Sequence, residues 1–192
     1  HHGRPSAVMI IVHESSDALD SFAVVHHDAS VQAAPRMTAF VARHVTHSGA
    51  FLLPLPLAEA FPLFTAEGER QWVPGWAPVY LHPSHPSNEA GTVFRTSHDG
   101  DDTIWIVMKH DPDSAVAEYA RVAPASRAGT VTVHCVADGP QSTLVTVRYA
   151  ITALTPAGNA TLDALTPAAY TAMLALWQAM IHEALDLGPA EV

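Results

Sequence analysis

The chain of 192 residues has a single cysteine, Cys135. One cysteine excludes an internal disulfide framework and any cysteine-based zinc cage, and it fits a reducing, cytoplasmic setting. Basic residues are also scarce, 9 Lys and Arg against 19 Asp and Glu for a net charge of −10. That balance argues against a nucleic-acid partner and leaves no basic run for an anionic membrane surface. No apolar run approaches the roughly 20 residues of a membrane-spanning helix, so no membrane insertion is expected. There is no G-x-S-x-G elbow, P-loop or dinucleotide fingerprint, and no cofactor is expected. What remains, 48% hydrophobic and 15% charged residues, describes a globular domain. The length suits one domain plus a tail better than two domains.

The most periodic stretch is C-terminal, Thr166 to Leu187. Thr166 is an N-cap and Pro167 occupies the first helical position, where its missing N–H costs nothing. Tyr170, Leu174, Trp177, Ile181 and Leu185 follow at steps of three or four and share one face, widened by Met173 and Met180. Gln178, His182, Glu183 and Asp186 fall on the other side, and Gly188-Pro189 should stop the helix. The helix could begin as early as Ala160.

Ahead of it the pattern is β. Phe40 to Leu55 reads as a first strand, with Ser48-Gly49 a candidate interruption. Leu57 to Phe64 reads as a short helix limited by Pro62, and Glu67 to Trp72 as a second. Strands follow at 79–81, 92–97, 103–110, 117–123, 130–137 and 143–154, separated by turn residues such as those of His98 to Asp102. Val145, Val147, Tyr149 and Ile151 alternate with polar residues and should face the interior. Residues 1–36 read as a tag remnant, leader or extended segment, and 37–192 as a single domain. An antiparallel meander followed by one long apolar helix has an evident solution, a sheet that wraps the helix.

This order is similar to the α+β helix-grip fold of the SRPBCC superfamily, which includes START lipid-transfer domains, birch-pollen-allergen-like proteins, polyketide cyclases and Hsp90-activator homology domains. The resemblance is carried by Phe61 to Tyr80, Gly91 to Arg95, Thr103 to Val107, Glu118 to Val122 and Thr143 to Leu154. It implies a curved antiparallel sheet around the C-terminal helix, two short helices after the first strand, and a cavity between that helix and the concave sheet for a small hydrophobic or aromatic ligand. It also implies two alternatives, a cyclase/dehydrase-like enzyme working without metal and a chaperone-interacting module. A homodimer is an allowed oligomeric state.

On this resemblance Trp72, Trp76 and Tyr80 cover one end of the cavity, or else close the core where helices meet sheet. Phe94, Trp105, Tyr149, Tyr170, Leu174, Trp177 and Ile181 are the other candidate lining residues. Both sides of the Trp105 strand are apolar, so periodicity leaves its inward face open. Tyr119, Arg121 and Arg95 are candidate acids or anion stabilisers, although burial of an arginine is costly and an outward-facing Tyr119–Arg121 pair is the expectation. Glu67 and Glu69 would serve as a base only if one were buried with a raised pKa; beside Arg70 they read as surface acids. The 13 His include His82 and His85 in a proline-rich loop and His98 beside Asp99, Asp101 and Asp102. Neither set has a complete ligand spacing, and no metal site is expected.

Overall fold

Thr143–Ala153 alternates buried residues with exposed or half-buried ones along its whole length, with Val145, Val147, Tyr149 and Ile151 inward. In the computed structural model, which describes residues 39–98 and 101–188, this strand is β7. It lies between β1 (His44–Leu53) and β6 (Arg127–Ala137). The remaining strands are β2 (Val79–His82), β3 (Val93–His98), β4 (Asp101–Asp111) and β5 (Val116–Ala123). They form one seven-stranded sheet in the order β1-β7-β6-β5-β4-β3-β2, antiparallel at every pairing. The chain divides into two units, His1–Phe40 and Val41–Val192, and the sheet and helices belong to the second. The leader expected over residues 1–36, like Asp99, lies outside the described residues.

Among the described residues three α-helices accompany the sheet. Helix α1 (Leu57–Ala60) is a single turn, and Pro62 lets the chain continue only as a 3-10 turn, Phe61–Phe64. A second 3-10 turn spans Gly68–Gln71. The C-terminal region, expected as one helix from as early as Ala160, is two: α2 (Pro156–Ala164) and α3 (Pro167–Ala184), bent by 73°. Each has its own threonine cap, with Thr155 Oγ1 accepting from Gly158 N–H and Thr166 Oγ1 from Ala169 N–H, and Pro167 cannot continue the ladder from α2. No single helix among the described residues is long and apolar enough to cross a membrane.

The expected apolar face of α3 is the one that packs: Tyr170, Leu174 and Ile181 are buried and Trp177 half-buried. It lies against β1, where Gly49 is the point of closest approach. A Cβ there would stand 2.6 Å from Leu174 Cδ1, and Gly49 pairs in register with Val147. The Ser48-Gly49 step is therefore no interruption but the place where the helix seats on an unbroken strand. His182, expected outside, is buried; its Nδ1–H donates to the Gly188 carbonyl at 2.9 Å. The helix stops before Gly188, because Asp186 takes the left-handed φ of 54° and Leu187 N–H bonds back to the His182 carbonyl.

Candidate functional site

The site begins with the threefold repeat of a 3-10 turn, which superposes residues i and i+3. Around Gly68–Gln71 this places Glu67 and Arg70 together, Arg70 Nε donating to Glu67 Oε2 at 2.9 Å, while Arg70 also donates to the Pro78 carbonyl. Glu69 is left on another side of the turn, facing the interior. Gly68 lets the two 3-10 turns stack, since a Cβ there would lie 2.0 Å from the Pro62 carbonyl oxygen.

Glu69 shares a small cavity with Ala66, Trp76, Phe94, Trp105 and Tyr119. The free space is about 10 Å³, room for no more than about one water molecule. The Phe94 and Trp105 rings are parallel within 6°, centroids 6.0 Å apart, and Trp76 meets both edge-on at 6.5 and 5.8 Å. Trp76 is tethered by its indole N–H to the Ala66 carbonyl at 2.7 Å, and Trp105 by its own to Thr96 Oγ1 at 3.0 Å. Glu69 is half-buried as a residue, but its carboxyl opens into this aromatic enclosure. Burial pushes its pKa up to about 8, against the opposing pull of Arg121.

Tyr119 and Arg121 point inward, against the expectation of a surface pair; they are 6% and 8% exposed. The guanidinium lies 5.1 Å over the Trp105 ring and hydrogen-bonds Tyr149, contacts that offset part of the cost of its burial. Tyr119 donates to the Phe64 carbonyl at 2.9 Å, and burial, then the charge of Glu69, raises its pKa. Arg95 corrects the sequence reading in the other direction. It is exposed on the outer face, paired across the sheet with Val79 and Ile104, and does not reach the interior.

The remaining lining candidates form two groups. Phe94, Trp105 and Trp76 enclose Glu69, with Tyr80 5.8 Å from Phe94. Burial, then Glu67, raises the Tyr80 pKa. Trp72 instead belongs with Trp177 and Tyr149 under α3; its ring lies 5.5 Å from Trp177 and its N–H bonds the Leu63 carbonyl. Tyr170 stacks on His47 and donates to the Val147 carbonyl at 2.8 Å, while Leu174 and Ile181 fill the helix–sheet contact. Periodicity left β4 undecided. The structure turns Trp105 and Val107 inward and Ile104 and Met108 outward. A bulge between Val107 and Lys109 then brings His110 inward to stack on Phe61 at 5.1 Å.

Glu69 meets the condition set for it in the sequence, burial with a raised pKa, where the reading beside Arg70 favoured a surface acid. The available signal was that Arg70 can pair at i,i+3 with only one of two nearby glutamates. Cys135 is buried and its thiol is pushed up to about 12 by burial, so it is unreactive. Among the described residues no three His, Cys, Asp or Glu side chains gather in a metal-binding group.

No family profile and no curated protein matches the chain by sequence. Solved structures match it in shape. Norcoclaurine synthase from Thalictrum flavum, in complex with dopamine and hydroxybenzaldehyde, aligns with a TM-score of 0.51 at 11% identity, covering 74% of this chain and 88% of that one. Ara h 8.0201 aligns at 0.53 and 13% identity over 75% and 99% of the two chains. A protein from Rhizobium leguminosarum aligns at 0.54 and 14% identity over 74% and 97%. The chain has the helix-grip fold these proteins share, and at such identities the likeness is one of fold.

Proposed function

We propose that the chain binds a small, flat, bicyclic aromatic molecule in the enclosure around Glu69. The observation that carries this reading is a single carboxyl set among the faces and edges of Trp76, Phe94 and Trp105, a combination of broad apolar walls with one polar group that suits an aromatic ligand. The free space of about 10 Å³ admits no such ligand until one wall leaves. Trp76 is the wall that can move. It is half-buried, lies on the turn around Gly75 at φ 75°, and makes one side-chain hydrogen bond. Swung outward, its indole leaves a space of indole shape against Phe94 and Trp105. That the similarly folded norcoclaurine synthase is found with two small aromatic molecules supports the reading by analogy of fold. It is tested by titrating the protein with β-naphthol and following tryptophan emission. Saturable quenching at one ligand per chain is expected; no saturable change across a panel of naphthalene- and indole-type compounds contradicts it.

A second reading is favoured by the fullness of the interior. In it the domain acts through its surface, as an interaction module or homodimer. Its support is the outer face of β2 and β4, where Val79, Leu81, Ile104 and Met108 are exposed. Concentration-dependent mass by sedimentation, without any ligand response, would favour it over the first.

A further inference from the structure

We propose that Glu69 moves a proton on the bound molecule, so that the site enolises a benzo-fused cyclic ketone with an acidic benzylic C–H beside its carbonyl. This rests on the ligand-binding reading and adds chemistry to it. The geometry comes first. Among the described residues Glu69 is the one carboxyl that lines the cavity, it meets aromatic walls rather than a salt-bridge partner on its own turn, and Arg70 is occupied by Glu67 on another side. A carboxyl held in apolar surroundings is a stronger base when ionised than one in water, and its working range moves toward neutrality. The direction of its titration agrees, raised by burial to about 8.

Among the described residues, the charged and titratable groups facing Glu69 come from two strands, with others more distant. Tyr119 and Arg121 come from β5 and Tyr149 from β7; Tyr80 of β2 and Arg127 of β6 act on the tyrosines from farther off. Both tyrosines are kept protonated by burial. Arg121 is therefore the positive charge beside the reacting region, where negative charge would collect.

The step balances without a co-reactant. The Glu69 carboxylate takes the proton from the ligand carbon, the C–H electron pair forms the new C=C bond, and the carbonyl π pair moves to oxygen. The enolate oxygen is stabilised by the field of Arg121. Return of a proton from Glu69 restores the ketone, or its delivery to another carbon isomerises it.

The test is the exchange of the acidic C–H protons of β-tetralone in heavy water, followed by proton NMR, with binding followed separately by tryptophan emission. The full chain is expected to speed exchange roughly 10²-fold over buffer, with the rate rising as pH passes through about 8. Glu69→Gln should return exchange to the buffer rate, Glu69→Asp should retain part of it, and Glu67→Gln should leave it unchanged. Should Glu69→Gln fail to fold, the pH profile of the unaltered chain and the Glu69→Asp variant decide. Saturable binding of β-tetralone with exchange at the buffer rate overturns this proposal and leaves the binding reading standing. Absence of binding across the whole panel overturns both.

Discussion

The guanidinium of Arg121 lies 5.1 Å from the centroid of the Trp105 ring, on the inner face of the sheet. A buried cation in this position ties the titration of Glu69 to the aromatic wall, because Arg121 lowers a pKa that burial raises. Arg121→Met should move the Glu69 midpoint further above about 8, read by NMR of the Glu69 carboxyl carbon. Since Glu69 can take up a proton instead of remaining an uncompensated charge, the stability lost should stay under about 3 kcal/mol, the low end for a broken buried pair. An unchanged midpoint would show that the two groups do not interact.

Stability should depend on pH in a way that Glu69 dictates. Its pKa is 4.5 in an unperturbed chain and about 8 in the folded one. Between these values the folded state holds a proton that the unfolded state has released, so stability is greatest at the acid end and falls as pH rises to about 8. Above that both states are ionised and the dependence ends. Burial lowers the His110 pKa, which acts in the opposite sense by favouring folding as pH rises. The difference between the chain and Glu69→Gln isolates the glutamate. Thermal unfolding should show that difference shift by on the order of a few kcal/mol across the window.

Two of the close-packed glycines, Gly49 and Gly68, should respond unequally to alanine. At Gly49 the new Cβ meets the end of the Leu174 side chain, which can turn aside, and a loss of about 1 kcal/mol is expected. At Gly68 it meets the Pro62 carbonyl and the Leu63 backbone, which cannot yield without moving the 3-10 turns, and the loss should be about 3 kcal/mol or more. Chemical denaturation of the two variants orders them; equal losses would contradict the stacking of the two turns.

Much of this was legible in the sequence, for physical reasons that also mark where legibility ended. In β7 and α3 one face is apolar and the other polar, so the period alone assigns the buried side. In β4 both faces are apolar, and only the pairing of Trp105 with Phe94 and Arg121 decides. Glu69 was illegible because its direction depends on a threefold turn, where a reading in α-helical steps places it beside Arg70 on the surface. The inward turn of Arg121 was hidden for a related reason. A lone arginine is costly to bury, and the ring and hydroxyl that receive it come from β4 and β7, distant in sequence.

Removing the movable wall should strengthen binding. If Trp76 must leave before a ligand enters, the closed state reduces the apparent affinity by the fraction of molecules that are open. Trp76→Ala should therefore bind β-naphthol about tenfold more tightly, provided one wall contact matters less than the closing equilibrium. Calorimetric titration of both proteins measures it. A weaker or abolished interaction would assign Trp76 to the bound contact surface and not to the closed state.

The most direct test of the binding site uses the four tryptophans, which fall into two groups: Trp76 and Trp105 beside Glu69, and Trp72 packed against Trp177 of α3. With fluorine-labelled tryptophan each gives its own NMR resonance, assigned by single substitution. On addition of β-naphthol the resonances of Trp76 and Trp105 should move together and saturate, while those of Trp72 and Trp177 stay near their positions. Movement confined to Trp72 and Trp177, or of none of the four, would contradict a ligand site around Glu69.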